Sequence, residues 1–197
     1  MDKKMKSIAL VLLLALIATT IVYLESAKKD GNSQEEGLQV VDESVKKEPA
    51  IVQTSSKYDF KDIELWINSE PLTLPGLRGN VVIIDFWTLG CYNCINTLPY
   101  VKSWHEKYAQ EGLVIVGVHS PEFAYERKIE NVQAAVEQHR IEYPVAIDNQ
   151  FSTWNTFENR YWPHLFLFDK EGNLRFHHIG EGAYEETEQW IVKLLNE

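Results

Sequence analysis

Val81-Val82-Ile83-Ile84-Asp85-Phe86-Trp87-Thr88-Leu89-Gly90-Cys91-Tyr92-Asn93-Cys94 decides the fold of this chain. The β-branched apolar run reads as a central strand buried on both faces. It delivers two cysteines, two residues apart, to the start of a helix that runs to about Gln110, with Pro99 inside it and Gly112 just beyond. Pro99 removes an N–H and clashes with the carbonyl four residues back, so a kink is expected there. The first turn of a helix carries unpaired N–H groups and partial positive charge, and a cysteine held there favours its thiolate, the form that attacks disulfides. Lowering a thiol pKa from about 8.5 to about 7 raises the thiolate fraction at neutral pH from a few per cent to about half.

Cys91 and Cys94 are the only cysteines. A zinc site would need a second close pair or an H-x3–5-H arrangement, and the six histidines provide none. A purely structural disulfide across so short a loop closes too little chain to stabilise much. Peroxidase chemistry needs one activated cysteine beside a threonine-bearing proline loop; Thr88 is present without that proline. A thiol peroxidase stays a minor alternative, beside two main classes of function: a dithiol oxidoreductase, and a thiol-based chaperone holding Cu(I) with a histidine, for which soft thiolates are suited. The short inter-cysteine gap favours the first.

Upstream, Lys3, Lys4 and Lys6 form a basic leader (residues 1–6), and Ile8 to Leu24 carries no charge. Seventeen helical residues span about 26 Å, enough for a hydrocarbon core, and the leader places the amino terminus inside. Residues 7–24 are therefore expected to be an uncleaved signal anchor. A cleaved signal peptide competes, but small residues at both −3 and −1 are hard to place, and no cysteine follows the run for a lipid anchor. Residues 25–57 are rich in Lys, Glu, Ser and Gln, which reads as a flexible tether. The net charge is −10 for the whole chain. Without the leader it is about −12, which argues against nucleic acid or an anionic membrane surface as partner.

Residues 58–197 suit one domain. Ile63 to Thr73 reads as a hairpin around Asn68-Ser69-Glu70-Pro71. Leu113 to His119 reads as a second buried strand, and Glu126 to Arg140 as a helix with Ile129, Val132, Val136 and His139 on one stripe. Pro144 to Ile147 follows as a strand, and Phe151 to Phe157 as a short helix. Strands alternating with helices imply a parallel sheet covered on both sides. The end differs: His164 to Phe168 and Leu174 to Ile179 form an antiparallel hairpin about Asp169–Asn173, before a last helix from Tyr184 to Leu195 with Thr187, Ile191, Leu194 and Leu195 inward.

This order of elements, with Asp85-Phe86-Trp87 ahead of the CxxC, Pro99 after it and Trp162-Pro163 before the hairpin, resembles the thioredoxin superfamily, an α/β fold with a mixed sheet flanked by helices. Leu77-Arg78-Gly79 and the added strand and helix between Leu113 and Phe157 are similar to its extracytoplasmic TlpA/ResA branch. Cys91 to Val101, Gly117-Val118-His119-Ser120-Pro121-Glu122-Phe123, Asn159-Arg160-Tyr161-Trp162-Pro163 and Gly180-Glu181-Gly182-Ala183-Tyr184 most resemble the thioredoxin-like portion of DipZ-type proteins. The resemblance implies a membrane-anchored, extracytoplasmic thiol-disulfide oxidoreductase without a separate cofactor. Its partners would be disulfide-containing exported proteins and a membrane electron carrier of the CcdA/DipZ type, often in cytochrome c maturation. Two departures stand out: one apolar segment cannot relay electrons across a membrane, and Thr97 occupies the place where ResA-like members have a glutamate.

Cys91, at the exposed helix start, is expected to be the nucleophile and Cys94, one turn in, the resolving thiol. Asp85, enclosed by apolar neighbours, should have a raised pKa and accept a proton from Cys94; an edge or capping role is its simpler alternative. Pro163 is expected in the cis form by resemblance. Trp87 and Trp162 divide between core aromatics and walls of the redox loop. His164 reads first as a packed polar residue, and second as a group near the thiols that favours thiolate when protonated. His119, His177 and His178 read as structural or surface residues.

Overall fold

The apolar run at 81–87 is a strand whose seven residues are all buried, and the sheet is built around it. The computed structural model describes residues 57–197. The leader, the anchor at 7–24 and the tether up to residue 56 lie outside the described residues. Among the described residues no helix is long and apolar enough to cross a membrane.

In chain order the elements are β1 (Leu65–Ile67), β2 (Val81–Trp87), α1 (Tyr92–Tyr108), β3 (Leu113–His119), α2 (Ile129–Gln138), β4 (Val145–Ile147), α3 (Ser152–Thr156), β5 (His164–Phe168), β6 (Leu174–Ile179) and α4 (Tyr184–Leu195). They form one six-stranded mixed sheet of order β1-β4-β3-β2-β5-β6. The pairs β2–β3 and β3–β4 are parallel, as helical crossovers require, and β2–β5 and β5–β6 are antiparallel.

Alternation along β2 sorts the core into two layers. Val81, Ile83 and Trp87 join Cys94, Leu98, Val101 and Trp104 of α1 and Ile191 and Leu194 of α4. Val82, Ile84 and Phe86 face Trp154 and Phe157, with Leu74, Leu77, Phe166 and Phe168. Tyr58 enters this second layer between Phe157 and Phe168, with ring centroids 5.1 and 5.5 Å away. Asp59 accepts the Leu74 N–H at 2.8 Å, and Thr153 Oγ1 both accepts the Lys61 N–H and donates to the Lys61 carbonyl.

Two expectations need correction. Ile63–Thr73 is not a hairpin: only Leu65–Ile67 is extended, and it pairs antiparallel with β4, a partner about 80 residues away. Local turn chemistry gave no sign of that partner. The helix expected over Glu126–Arg140 is also shorter. Residues Ala124–Arg127 form a 3-10 turn, and α2 begins at Ile129, after extended Lys128. His139 caps it instead of joining its buried stripe, which holds Val132, Ala135 and Val136.

Candidate active site

Cys91 is the N-cap of α1, with extended backbone, and its Sγ accepts the Cys94 N–H at 3.1 Å. The two sulfurs are joined in a disulfide, with 5.2 Å between the Cα atoms. Cys91 is half-buried and Cys94 only 2% exposed. Cys91 is thus the more accessible sulfur, at a helix terminus that favours a thiolate, whereas burial disfavours the charged form of Cys94. In the reduced protein, alkylation of single-cysteine variants against pH should titrate earlier for Cys91; the reverse order would reassign the nucleophile.

Asp85 lies on the same face of β2 as Trp87, in register between Gly117 of β3 and Leu165 of β5. It is 2% exposed, and burial pushes its carboxyl up from 3.8 to about 7. Its Oδ1 has no hydrogen-bond partner. A capping or edge role is thereby overturned, since Asp85 sits in mid-strand at the centre of the sheet. Two more unpartnered buried polar atoms belong to this layer, Trp87 Nε1 and Tyr143 Oη. They crowd the space above Gly117, where an added Cβ would meet Trp87 Nε1 at 3.0 Å and Tyr143 Cε2 at 3.2 Å.

The Trp162–Pro163 peptide is cis. Its loop is fixed on both sides: Trp162 Nε1 donates to the Ser120 carbonyl at 3.0 Å, and Gly180 N–H donates to the Pro163 carbonyl at 2.8 Å. Trp162 also packs on Trp154, with centroids 4.3 Å apart. Trp87 is wholly buried, edge-on to His119 at 5.2 Å, so it is core beneath the redox loop and not an exposed wall.

His164 pairs with Phe86 across the strands and lies 4.0 Å from the Phe166 ring, in the layer opposite Cys94. Its ring nitrogens meet Asn159 Oδ1 at 2.6 Å and His177 Nδ1 at 3.2 Å. Burial, with His177 and His178 beside it, lowers its pKa to about 4. The reading that places a protonated His164 near the thiols is therefore corrected: it is a neutral, packed residue on the other face. Thr97 likewise turns inward, its hydroxyl donating to the Asn93 carbonyl at 2.9 Å.

Three residues of the redox loop's surroundings and the layer beneath it were not singled out as site residues by the sequence. Glu126 is completely buried; its Oε1 accepts the Gly90 N–H at 2.9 Å and its Oε2 accepts the N–H groups of Glu122 and Phe123. The bond back to the Phe123 N–H is the half of a capping box that Glu126 can supply, without the N-cap Ser or Thr that would make the motif legible in the sequence. His119 Nε2 lies 3.3 Å from both Thr88 Oγ1 and the Leu89 N–H, and burial lowers its pKa to about 4. Tyr143, the third, carries no motif. Among the described residues no group of three or more His, Cys, Asp or Glu is placed to hold a metal ion.

The AhpC/TSA family model matches residues 57–177. Protein DipZ of Mycobacterium tuberculosis is 42% identical over 142 residues, covering 71% of this chain and 20% of that protein. The chain thus spans about a fifth of the length of that relative. Thiol-disulfide oxidoreductase YkuV of Bacillus subtilis is 28% identical over 132 residues, 67% of this chain and 88% of that protein. A crystal structure of a thioredoxin-like superfamily protein superposes with a TM-score of 0.65 at 27% identity, covering 71% of this chain and 95% of that one. With a CxxC disulfide on a thioredoxin-like sheet and a family match over most of the described domain, the chain belongs to the AhpC/TSA family, as a thioredoxin-like member of the thiol-disulfide oxidoreductase type.

Proposed function

We propose that the domain is a dithiol reductase of exported proteins, held by residues 7–24 on the outer face of the cytoplasmic membrane. The observation that carries the chemistry is the half-buried Cys91 sulfur at the start of α1, disulfide-bonded to buried Cys94 in the layer that holds Asp85. In the reduced protein the Cys91 thiolate attacks a client disulfide, forming a mixed disulfide and releasing one client thiolate. Cys94 gives its proton to the Asp85 carboxylate and attacks the Cys91 sulfur, releasing the second client thiolate. The client gains two electrons and the protein is left with the Cys91–Cys94 disulfide. A membrane dithiol carrier of the CcdA/DipZ type returns two electrons and two protons. Apocytochrome c is the first client to test, on family resemblance.

The test is capture. Cys94→Ser leaves Cys91 able to attack and unable to release, so covalent mixed disulfides should accumulate and identify the client. If Cys94→Ser traps nothing while Cys91→Ser does, the nucleophile is misassigned. Should neither trap anything while the wild type binds copper tightly, the reductase role is wrong.

A further inference from the structure

Glu126 places a buried carboxylate against the backbone that positions the nucleophile. Gly90 immediately precedes Cys91, and its N–H bonds to Glu126 Oε1 at 2.9 Å. A Cβ on Gly90 would meet that oxygen at 2.5 Å and would also strike the Tyr125 hydroxyl. The loop before the disulfide is therefore closed down onto the carboxylate.

That carboxylate stays ionised. Burial pushes its pKa up, but the N–H groups of Phe123, Glu122 and Gly90 and the Thr88 hydroxyl outweigh this and hold it below the usual carboxylate range. It takes part in none of the ion pairs among the described residues. Tyr125 of its own segment and His119 of β3 are the titratable groups coupled to it, Glu122 lies beside Tyr125, and Arg127, the cation next in sequence, donates instead to the Asn149 carbonyl at 2.6 Å. His119, with its pKa lowered to about 4, is uncharged at neutral pH.

An uncompensated negative charge near a thiol disfavours its thiolate and opposes the partial positive charge of the α1 terminus. The disulfide is neutral, so the charge acts only on the reduced state. Destabilising the reduced state makes the couple a stronger reductant. We infer that Glu126 is a positioning residue with a second role, a fixed charge that raises the proton affinity of Cys91 and biases the Cys91–Cys94 couple toward donating electrons. The inference rests on the dithiol reading above and explains the direction of electron flow proposed there.

The experiment measures the equilibrium of the couple with a reference dithiol across pH, for the full chain and for Glu126→Gln and Glu126→Asp. The charge matters only where Cys91 is ionised. At about pH 9, Glu126→Gln should make the couple more oxidising by about tenfold, ~30 mV for two electrons, and at about pH 5 the difference should vanish. The Cys91 alkylation pKa should fall by about one unit in the same variant. Glu126→Asp keeps the charge while shortening the reach, so it should loosen the loop yet move the equilibrium by less than about threefold.

Equal shifts for both variants, no shift for Glu126→Gln, or a shift independent of pH would overturn the inference. If neither variant folds, the wild type still decides. A Cys91 pKa of about 6 or lower, against about 7 for a thioredoxin-type thiol, would leave no room for an opposing charge. Failure to reduce any client, with the expected pH-dependent equilibrium intact, would sink the reductase role and leave the charge effect standing.

Discussion

Asp85→Asn should make the folded domain more stable at pH 8 and slower at reducing disulfides. The carboxyl titrates at about 7 in the fold against 3.8 as the ordinary value. Between those pH values the native state holds a proton that the unfolded chain has lost, so stability falls as pH rises through this window and the loss is complete above it. At 1.36 kcal/mol per pH unit the penalty reaches about 4 kcal/mol. Asparagine has the same shape and no charge to bury. Denaturant melts should therefore nearly coincide for the two proteins at about pH 4 and diverge in favour of the variant by up to about 4 kcal/mol at pH 8. Parallel curves over pH 4–8 would show that Asp85 is not the buried proton-binding group. Reduction should slow by about a hundredfold above pH 7, the lower end of a general-base contribution, because Cys94 has lost its acceptor. Unchanged rates across pH 6–9 would make Asp85 structural.

The second large effect is expected at Gly117. It sits in mid-strand, with β2 on one side and β4 on the other. Trp87 and Tyr143, the groups a side chain there would meet, are each fully buried. Trp87 is packed in the core layer that holds Cys94, whereas Tyr143 also borders a cavity lined by Lys102, His105 and Glu142. Gly117→Val gains some strand propensity, worth at most about 1 kcal/mol, but must displace two large aromatics at near-crystalline packing density. Overpacking of this kind costs about 3 kcal/mol, which lowers the melting temperature by roughly 10 °C in a domain of this size. Thermal melts check it, and a variant with wild-type stability would show that the layer beneath the disulfide yields.

The catalytic strand, the two thiols and the inward Asp85 were legible because they lie in one uninterrupted stretch, where apolar run, charge and helix start sit within fourteen residues of each other. The β5–β6 hairpin was legible for the same reason: Asp169, at its turn, accepts the N–H groups of Glu171 and Asn173. The side of the sheet on which His164 falls was not read, although it follows once its partner is known. Residues paired directly across strands share a face, and His164 pairs with Phe86, not with Asp85. Strand β1 was misread because its partner lies far along the chain. The bond from Glu126 to Gly90 joins segments 36 residues apart. Tyr143 acquires meaning only where Gly117 leaves room for it. Such relations belong to the folded arrangement and have no local signature.

The way the chain enters the domain has a mechanical consequence. Terminal residues of most domains fray. Here Tyr58 is wedged among Phe157, Phe166 and Phe168, Asp59 holds Leu74, and Lys61 is bonded twice to Thr153. The aromatic contacts and Leu74 lie in the layer opposite Cys94. A pull on the domain at Tyr58 would load this aromatic wedge first, in the layer opposite Cys94, and reach the disulfide only through the sheet.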